Sequence, residues 1–486
     1  MKTRIRTAGS FTGNTVGSTV TGCSPGYRTR RTGRRADGLS LFASTTVAGL
    51  LSISALVPQA TLGQSVDLSF DPNANGVVYA IAVESDGRIV IGGSFTNVNG
   101  RDCAHLARLN PDGSLAGASL PAANNTVRAL AMQRDGKILV GGEFTMLGVN
   151  MRIYLARLNT DGTFDGSFDL GANGAVWHLS TQPDGTILVG GNFNTLGGQP
   201  REMFARLNAD GSLDPSFQNP QVFGTVFTSV TQPDGKILVG GTFRVLGGQA
   251  RYRIGRLNAD GSLDSSFPDV RASSTVYSLA LQPDGKILIG GTFATLWGKP
   301  AAHLARLHPN GDLDGSFTLN ASGPVHCLAS QPDGRILVGG LFRYLGEQER
   351  GQLARFNPDG SLDGSLRPII DGTVCSLALQ PDGKILVGGG FMTFDDQMRD
   401  CIGRLNADRH LDSFITRISS NNVRVGFRGM WGRQYVVQTT GNLNPPIPWS
   451  SLAIVPADGA GWVMYEDKET PSDGRRFYRI VPAESP

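Results

Sequence analysis

One short segment recurs seven times along this 486-residue chain, and the recurrence constrains the fold more than any other feature. The segment resembles QPDGKILVGG, and its Asp-Gly pair returns every 49 or 50 residues, at Asp86, Asp135, Asp184, Asp234, Asp284, Asp333 and Asp382. A fixed period of about 20 to 50 residues is typical of repeat architectures. The chain is therefore predicted to assemble seven copies of one structural unit.

Each unit contains the pattern of four short strands. Asp-Gly stands between two apolar runs, as in TVYSLALQ and KILIGGTF, and glycine accepts the positive φ that a tight hairpin requires. A second Asp-Gly or Asn-Gly turn follows between LARLN and SLDGSF. Radial repetition of four-stranded blades leaves few exposed strand edges. We therefore predict an all-β fold, a seven-bladed β-propeller of four-stranded blades, over residues 64–415.

The two ends of the repeat region favour a closed ring over an open stack of units. The segment SVDLSF, Ser65 to Phe70, is a copy of the unit's last strand placed before the first full unit. The seventh unit ends in a degraded copy, Leu411 to Phe414. The N-terminal strand is expected to complete or reinforce the last blade and so clasp the ring shut.

The repeated QPDGKILVGGxF followed by ARLNxDGSLDxSF resembles the delta-60 repeat family of exported bacterial proteins. The resemblance covers Ser65 to about Phe414. It implies a propeller-like scaffold of generally unassigned biochemical role, and it supplies no catalytic residues.

The segments outside the repeats have different characters. Residues 1–63 hold eight basic residues ahead of an apolar stretch and small residues, the order of a secretory signal, so we expect a protein that is secreted, periplasmic or at the cell surface. A membrane association follows only if this leader is not cleaved. Without the leader, 36 basic residues face 40 acidic ones, which makes nucleic acid an unexpected partner. Residues 416–486 read as short alternating strands and predict a small β-sandwich-like module.

Two sets of variable positions are candidate binding residues. The loop after the second strand of the units carries arginines and glutamines that can hydrogen-bond carboxylates, sulfates or sugar hydroxyls. These rim residues are Arg101, Arg152, Arg201, Arg251, Arg350 and Arg399, with Gln199 and Gln249. The alternative is that each arginine packs over its own blade.

The second set lies near the start of the innermost strand, where neighbouring positions are uniform and this one varies. Its members are Tyr79, Arg128, Trp177, Phe227, Tyr277, His326 and Cys375. Aromatic rings with an arginine and a histidine around a funnel suit a sugar chain or a peptide. The alternative is that the aromatic side chains are wedged between blades.

Repeated charged residues are interpreted as structural. An arginine in the third strand, as at Arg206, is followed eight residues later by an aspartate, as at Asp214, and an antiparallel hairpin would pair the two. The turns with the pattern N-x-D-G-x-x-D resemble calcium loops, but the arginine two residues before the Asn opposes a cation. No cofactor is therefore predicted, with calcium in these turns as the alternative.

No enzyme signature appears among the six histidines or elsewhere in the sequence. The leading hypothesis is a non-catalytic, exported and monomeric binding or scaffold protein that recognises a glycan, peptide or protein through the Arg/Gln-rich loop face. The alternative is a carbohydrate-active enzyme, a hydrolase or lyase, that uses acids on the same face. The acid clusters available there are Asp395 with Asp396 and Glu347 with Glu349.

Four cysteines follow the leader, and export permits disulfides. Cys103 and Cys401 lie in corresponding loops of the first and seventh units, which are neighbours in a closed ring. We expect that a disulfide between them could staple the seam, with buried free thiols as the alternative.

Overall fold

The computed structural model describes residues 64–117 and 120–407, together with six strands between residues 413 and 482. All regular secondary structure among these residues is β-strand, and none of it is an apolar helix of membrane-spanning length. The predicted leader, residues 1–63, lies outside the described residues.

Each repeat forms an antiparallel sheet of an inner, a middle and a third strand, with the middle strand in the centre. The inner strands are Val78–Val83, Val127–Met132, Val176–Thr181, Val226–Thr231, Val276–Leu281, Val325–Ser330 and Thr373–Leu379. The middle strands are Ile89–Gly93, Ile138–Gly142, Ile187–Gly191, Ile237–Gly241, Ile287–Gly291, Ile336–Gly340 and Ile385–Gly390. The third strands are Leu106–Leu109, Leu155–Leu158, Phe204–Leu207, Ile254–Leu257, Leu304–Leu307, Leu353–Phe356 and Ile402–Leu405.

The outermost strand of each blade is shorter than the sequence pattern suggests. In blades one to six it touches the third strand through a single β-bridge, at Leu109–Leu115, Leu158–Phe164, Leu207–Leu213, Leu257–Leu263, Leu307–Leu313 and Phe356–Leu362. In blades two to six, side-chain bonds from an arginine of the third strand, described below, also hold this short strand.

The connection between the middle and third strands folds into a small hairpin of two-residue strands. The paired strands are Asn97–Val98 with Arg101–Asp102, Met146–Leu147 with Asn150–Met151, Thr195–Leu196 with Gln199–Pro200, Val245–Leu246 with Gln249–Ala250, Thr295–Leu296 with Lys299–Pro300, Tyr344–Leu345 with Gln348–Glu349, and Thr393–Phe394 with Gln397–Met398. The tip of this hairpin packs against the outer part of its own blade: a Cβ on Gly247 would meet the Leu263 side chain.

The seven blades close into a ring. The inner strands of successive blades contact one another, and that of blade seven contacts that of blade one. One core cluster contains Val78 and Ile89 of blade one together with Leu386 and Ile402 of blade seven. A seven-bladed propeller is therefore the architecture of residues 64–407, as the repeat predicts.

The N-terminal segment supplies the missing outer strand of blade seven. Val66 bridges to Leu405, and the Asp67 N–H donates to the Arg404 carbonyl at 2.8 Å. Phe70 is fully buried and its ring lies 4.3 Å from the Arg404 guanidinium carbon. The expectation that this strand clasps the ring is met.

The arginine of the third strand hydrogen-bonds a backbone carbonyl of the next blade in blades one to four. In blade two, Arg157 donates to Asp165 Oδ2 at 2.7 Å and to the Ala209 carbonyl of the following blade at 3.0 Å. Lys137 also binds Asp165 at 3.0 Å. The same Arg–Asp contact is present at Arg206–Asp214, Arg256–Asp264, Arg306–Asp314 and Arg355–Asp363. The structural interpretation of this pair is confirmed in blades two to six.

In the first and seventh blades, the arginine of the third strand pairs with an acid from a different part of the chain. Arg108 has Ala116 where the other blades carry the aspartate, and it pairs instead with Glu84 at 2.9 Å. Arg404 pairs with Asp67 of the N-terminal segment at 2.8 Å; Asp412, eight residues after Arg404, lies outside the described residues. The eight-residue spacing does not lead to Asp67, because Asp67 belongs to the N-terminal segment that supplies the outer strand of blade seven.

The C-terminal strands form two antiparallel three-stranded sheets, in agreement with the sandwich-like pattern. One contains Ser413–Ser419, Asn422–Arg428 and Trp462–Asp467; the other contains Gln434–Thr440 between Ser450–Pro456 and Phe477–Pro482. Tyr435 and Val437 are buried.

Candidate binding site at the mouth of the central channel

Every inner strand carries a β-bulge at the same position. Val78 pairs with Gly93 and Ala80 pairs with Gly92, so Tyr79 between them has no partner on the middle strand. The equivalent unpaired residues are Arg128, Trp177, Phe227, Tyr277, His326 and Cys375. A bulge bends its strand and redirects the side chain of the extra residue. We call these seven residues the bulge ring.

The bulge ring is a set of side chains in mutual contact. Ring centroids are 5.4 Å apart for Trp177–Phe227, 5.4 Å for Phe227–Tyr277 and 5.2 Å for Tyr277–His326. The Arg128 guanidinium carbon lies 4.1 Å from the Tyr79 ring centroid and 4.7 Å from that of Trp177. Six side chains from six blades thus form one continuous arc of contacts between neighbouring blades, and binding of a ligand by this arc stays a prediction.

The spacing sets the size of the opening. A regular heptagon whose side equals these ring separations is about 12 Å across between opposite centroids, and the thickness of the side chains narrows it further. An α-helix with its side chains is about 10–12 Å wide. An opening of this size, narrowed by the side chains, is too small for a helix with its side chains.

Glu143 is a site residue that the repeat analysis passes over. Its carboxylate Oε1 accepts from Arg128 Nε at 3.1 Å and Nη2 at 3.0 Å. Glu143 follows the Gly-Gly pair of its blade, and the residues at that place in the other blades are Ser94, Asn192, Thr242, Thr292, Leu341 and Gly390. That single charged residue among seven is the sequence signal that identifies it.

The ring carries no net charge near neutral pH. Arg128 is neutralised by Glu143. Burial lowers the pKa of His326, which keeps its imidazole neutral, and burial raises the pKa of the Tyr277 hydroxyl. Half-buried rings next to neutral hydrogen-bonding groups suit an uncharged ligand with apolar faces.

The rim arginines do not converge on a common point. Five of them donate to the carbonyl of the preceding residue: Arg152, Arg201, Arg251, Arg350 and Arg399. Arg350 and Arg399 are only 3% and 7% exposed. The packing alternative therefore describes most of them, because the small hairpin folds its arginine back over its own blade.

The remaining rim residues stay accessible. Arg101, Gln199 and Gln249 are exposed on the two-residue strands. Arg399 instead reaches the N-terminal segment, where it donates to the Leu68 carbonyl at 3.1 Å and lies 3.4 Å from Asp71. It thus belongs to the clasp as much as to the rim.

The turns that resemble calcium loops use their oxygens internally. Asp210 Oδ1 accepts from Ser212 N at 2.8 Å, and Asp214 Oδ2 accepts from Arg206 Nε at 2.6 Å. Over the described residues, no cluster of three or more His, Cys, Asp or Glu side chains could hold a metal ion.

The acids of the enzyme alternative also have local roles. Asp395 Oδ1 accepts from the Ile369 N–H at 2.6 Å, and Glu349 accepts from Arg343 at 2.9 Å. Burial, with a smaller contribution from Asp396, raises the pKa of Asp395. Both Asp395 and Asp396 have positive φ, so they shape the tip of the small hairpin.

Cys103 and Cys401 are free thiols that pack against the core cluster shared by blades one and seven. Burial raises the pKa of Cys401 to about 11. Cys103 and Cys401 are not joined by a disulfide, and they lie at different positions relative to the third strand of their blades. Cys103 N donates to Thr96 O within the small hairpin, whereas Cys401, with φ of 62°, directly precedes the third strand. The seam bond stays a prediction for the exported protein.

Comparisons with known proteins support the fold. The sequence matches a family described as "Domain of unknown function (DUF5122) beta-propeller" at residues 84–115, 133–168, 182–217, 232–267, 282–317, 331–365 and 380–413, about half of the chain. No curated protein sequence matches significantly.

Solved structures with a similar backbone are propellers of low sequence identity. The WD40 β-propeller domain of Doa1 is 16% identical with a TM-score of 0.48, and the match covers 71% of this chain and 97% of that one. The extracellular domain of BT4673 from B. thetaiotaomicron is 12% identical with a TM-score of 0.44, over 87% of this chain and 59% of that one. YCF48 bound to a D1 peptide is 12% identical with a TM-score of 0.41, over 71% and 99%.

Proposed function

We propose that this chain, which belongs to the DUF5122 beta-propeller family, is a non-catalytic binding or scaffold protein whose bulge ring is the ligand-binding site. One observation carries the proposal: the bulge position holds six different residue types in seven blades, whereas the Gly-Gly pair of the middle strand is the same in all seven. A purely structural position in a repeat gains nothing from such variety.

Elsewhere the repeat is invariant where packing requires it. The first glycine of each Gly-Gly pair faces the next blade: a Cβ on Gly190 would lie 2.8 Å from Val226 Cγ1. Such positions tolerate no variation. Half-exposed aromatic side chains at a concave mouth bind ligands through large contact area at little entropic cost.

The ligand class of the proposal is a glycan, a peptide or an extended protein segment. The exposed rim residues Arg101, Gln199 and Gln249 are secondary contacts around this mouth. The basic and apolar character of residues 1–63 supports export to the periplasm, the cell surface or the medium. A monomeric state and assignment of the repeats to the delta-60 type are parts of the same proposal.

The proposal is tested on an array that carries both glycans and peptides. We compare the exported wild-type protein with the triple variant Trp177→Ala, Phe227→Ala, Tyr277→Ala and with the matched rim variant Arg201→Ala, Arg251→Ala. Circular dichroism and thermal melting verify that each variant is folded.

The ring variant is expected to lose the wild-type signals, and the rim variant is expected to keep them. Signals that survive in the ring variant but disappear in the rim variant would overturn the proposal. Turnover of an arrayed glycan that is lost on Asp395→Asn would instead establish the enzyme alternative.

A further inference from the structure

We infer that the ligand of the bulge ring is an uncharged oligosaccharide chain; this inference rests on the proposed binding function and names its ligand class. The first step is the charge of the mouth. Arg128, the one cation of the ring, is neutralised by Glu143, and burial keeps His326 neutral. An anionic ligand finds no unpaired cation there, and a cationic ligand finds no unpaired carboxylate.

The second step concerns the polar groups beside the aromatic arc. From the place after the Gly-Gly pair, Glu143 reaches the ring residue of its own blade, Arg128. Along the arc of Trp177, Phe227 and Tyr277, this place holds Asn192, Thr242 and Thr292. Asn192 and Thr242 are exposed. Amide and hydroxyl groups both donate and accept, as sugar hydroxyls do.

The third step combines the two. A pyranose ring has an apolar C–H face and a polar hydroxyl edge, so it needs an aromatic surface with neutral hydrogen-bonding groups at its side. The ring offers three aromatic side chains in series, and the same three blades carry an asparagine and two threonines after their Gly-Gly pairs. The Thr242 hydroxyl accepts from the Thr225 N–H, and the Thr292 hydroxyl bonds Ser274, so each keeps capacity for one further hydrogen bond. The apolar faces of successive sugar rings therefore match the aromatic arc.

The fourth step locates the open side of the mouth. Blade seven carries Cys375 in the ring, which is the smallest side chain at that position. After its Gly-Gly pair it carries Gly390, which has no side chain. Opposite this blade in a seven-membered ring stand Trp177 and Phe227 of blades three and four. A chain entering over blade seven therefore reaches the aromatic arc directly.

The test titrates the exported full-length protein with six-residue probes. The neutral probes are maltohexaose, cellohexaose, laminarihexaose and chitohexaose; the charged probes are hexagalacturonic acid and the chitosan hexamer, and a Gly-Ser-Asn hexapeptide represents peptides. Calorimetry and tryptophan fluorescence report binding. Phe223→Ala removes an aromatic side chain that is 60% exposed outside the ring and is the matched control for Trp177→Ala.

At least one neutral hexamer is expected to bind, with an affinity that changes little between about 50 and 500 mM NaCl because no net charge is involved. Trp177→Ala should weaken this binding by about tenfold, the loss expected for one aromatic contact, and Phe223→Ala should leave it unchanged. Glu143→Gln leaves Arg128 uncompensated and should create salt-sensitive binding of hexagalacturonic acid.

Binding of only the charged hexamers or only the peptide, lost on Trp177→Ala, would overturn the ligand class and leave the proposed function intact. Equal loss on Phe223→Ala, or no gain of hexagalacturonic acid binding in a folded Glu143→Gln protein, would also overturn the inference. No binding of any probe, together with a blank glycan and peptide array, would remove the proposed function itself.

Discussion

Replacing Asp67 by asparagine tests how the propeller is closed. Asp67 is 6% exposed and lies in the N-terminal segment, where it binds Arg404 Nε at 2.9 Å and Lys384 Nζ at 3.2 Å. Burial by itself would raise the pKa of Asp67, but the bonds from Ser69 and Lys384 and the charge of Arg404 hold that pKa well below its usual range. The substitution keeps the shape of the side chain and removes its charge.

The expected loss of unfolding free energy depends on the contacts that Arg404 keeps once Asp67 has lost its charge. Arg404 is 3% exposed, and removing one partner of a buried ion pair costs about 3–5 kcal/mol. Arg404 keeps its bonds to the Pro111 carbonyl and to Gln380, and Phe70 stays beneath it. The lower end applies, so we expect the free energy of unfolding to fall by about 3 kcal/mol.

The assay is equilibrium denaturation at pH 7, with Asp165→Asn as the matched control because Asp165 makes the same contacts to Arg157 and Lys137 within blade two. Hydrogen exchange locates the damage. Asp67→Asn should accelerate exchange in Val78–Val83 and Thr373–Leu379, and Asp165→Asn should not.

A loss below about 1 kcal/mol for Asp67→Asn, the range of an exposed pair, beside a normal loss for Asp165→Asn, would refute the clasp. The seventh blade would then take its outer strand from elsewhere, for example from the degraded copy at residues 411–414.

Three further predictions follow from individual contacts. Glu84→Gln should leave Arg108 unpaired and cost about 3 kcal/mol, and adding Ala116→Asp, the arrangement of the other blades, should recover part of that loss in a denaturation series; no recovery would show that the two solutions are not equivalent. Gly190→Ala should cost about 1–3 kcal/mol because its Cβ would press on Val226, whereas Gly166→Ala, with open space around it, should change stability by less than about 0.5 kcal/mol. Burial lowers the pKa of His178 to about 4 in the folded protein, below its value of about 6.5 in the unfolded chain. The neutral His178 therefore stabilises the fold fully above about pH 6.5, and up to about 3 kcal/mol of the free energy of unfolding is lost as the pH falls toward 4. His178→Gln should flatten that pH dependence in thermal melts, and an unchanged slope would contradict the assignment.

The repeat period and the Asp-Gly turns were enough to predict the architecture, because each unit repeats the same local hairpin signals. The length of the outer strand was not predictable in this way, since one β-bridge is enough where Arg157 holds Asp165 by side-chain bonds. The partner of Arg404 was also missed, because it comes from a residue more than 300 positions away.

The residues of the candidate site also differ in how far the sequence could predict them. Variation at the bulge position identified the seven residues of the bulge ring, from Tyr79 in blade one to Cys375 in blade seven, because a difference between copies is easy to see in a regular repeat. The rim arginines were harder to place, since sequence spacing cannot tell whether Arg201 points outward or folds back onto the Pro200 carbonyl. Glu143 went unnoticed because its importance depends on Arg128, which lies across the sheet rather than beside it in the sequence.

The central claim, that ligand binds at the bulge ring, is tested most directly by hydroxyl-radical footprinting of the exported protein with and without a saturating array-selected ligand. Oxidation of Trp177, Phe227 and Tyr277 should fall on binding, while oxidation of the exposed Met151 and Met398 on the small hairpins should not change. Protection of the two methionines with unchanged oxidation of the three aromatic residues would contradict the claim.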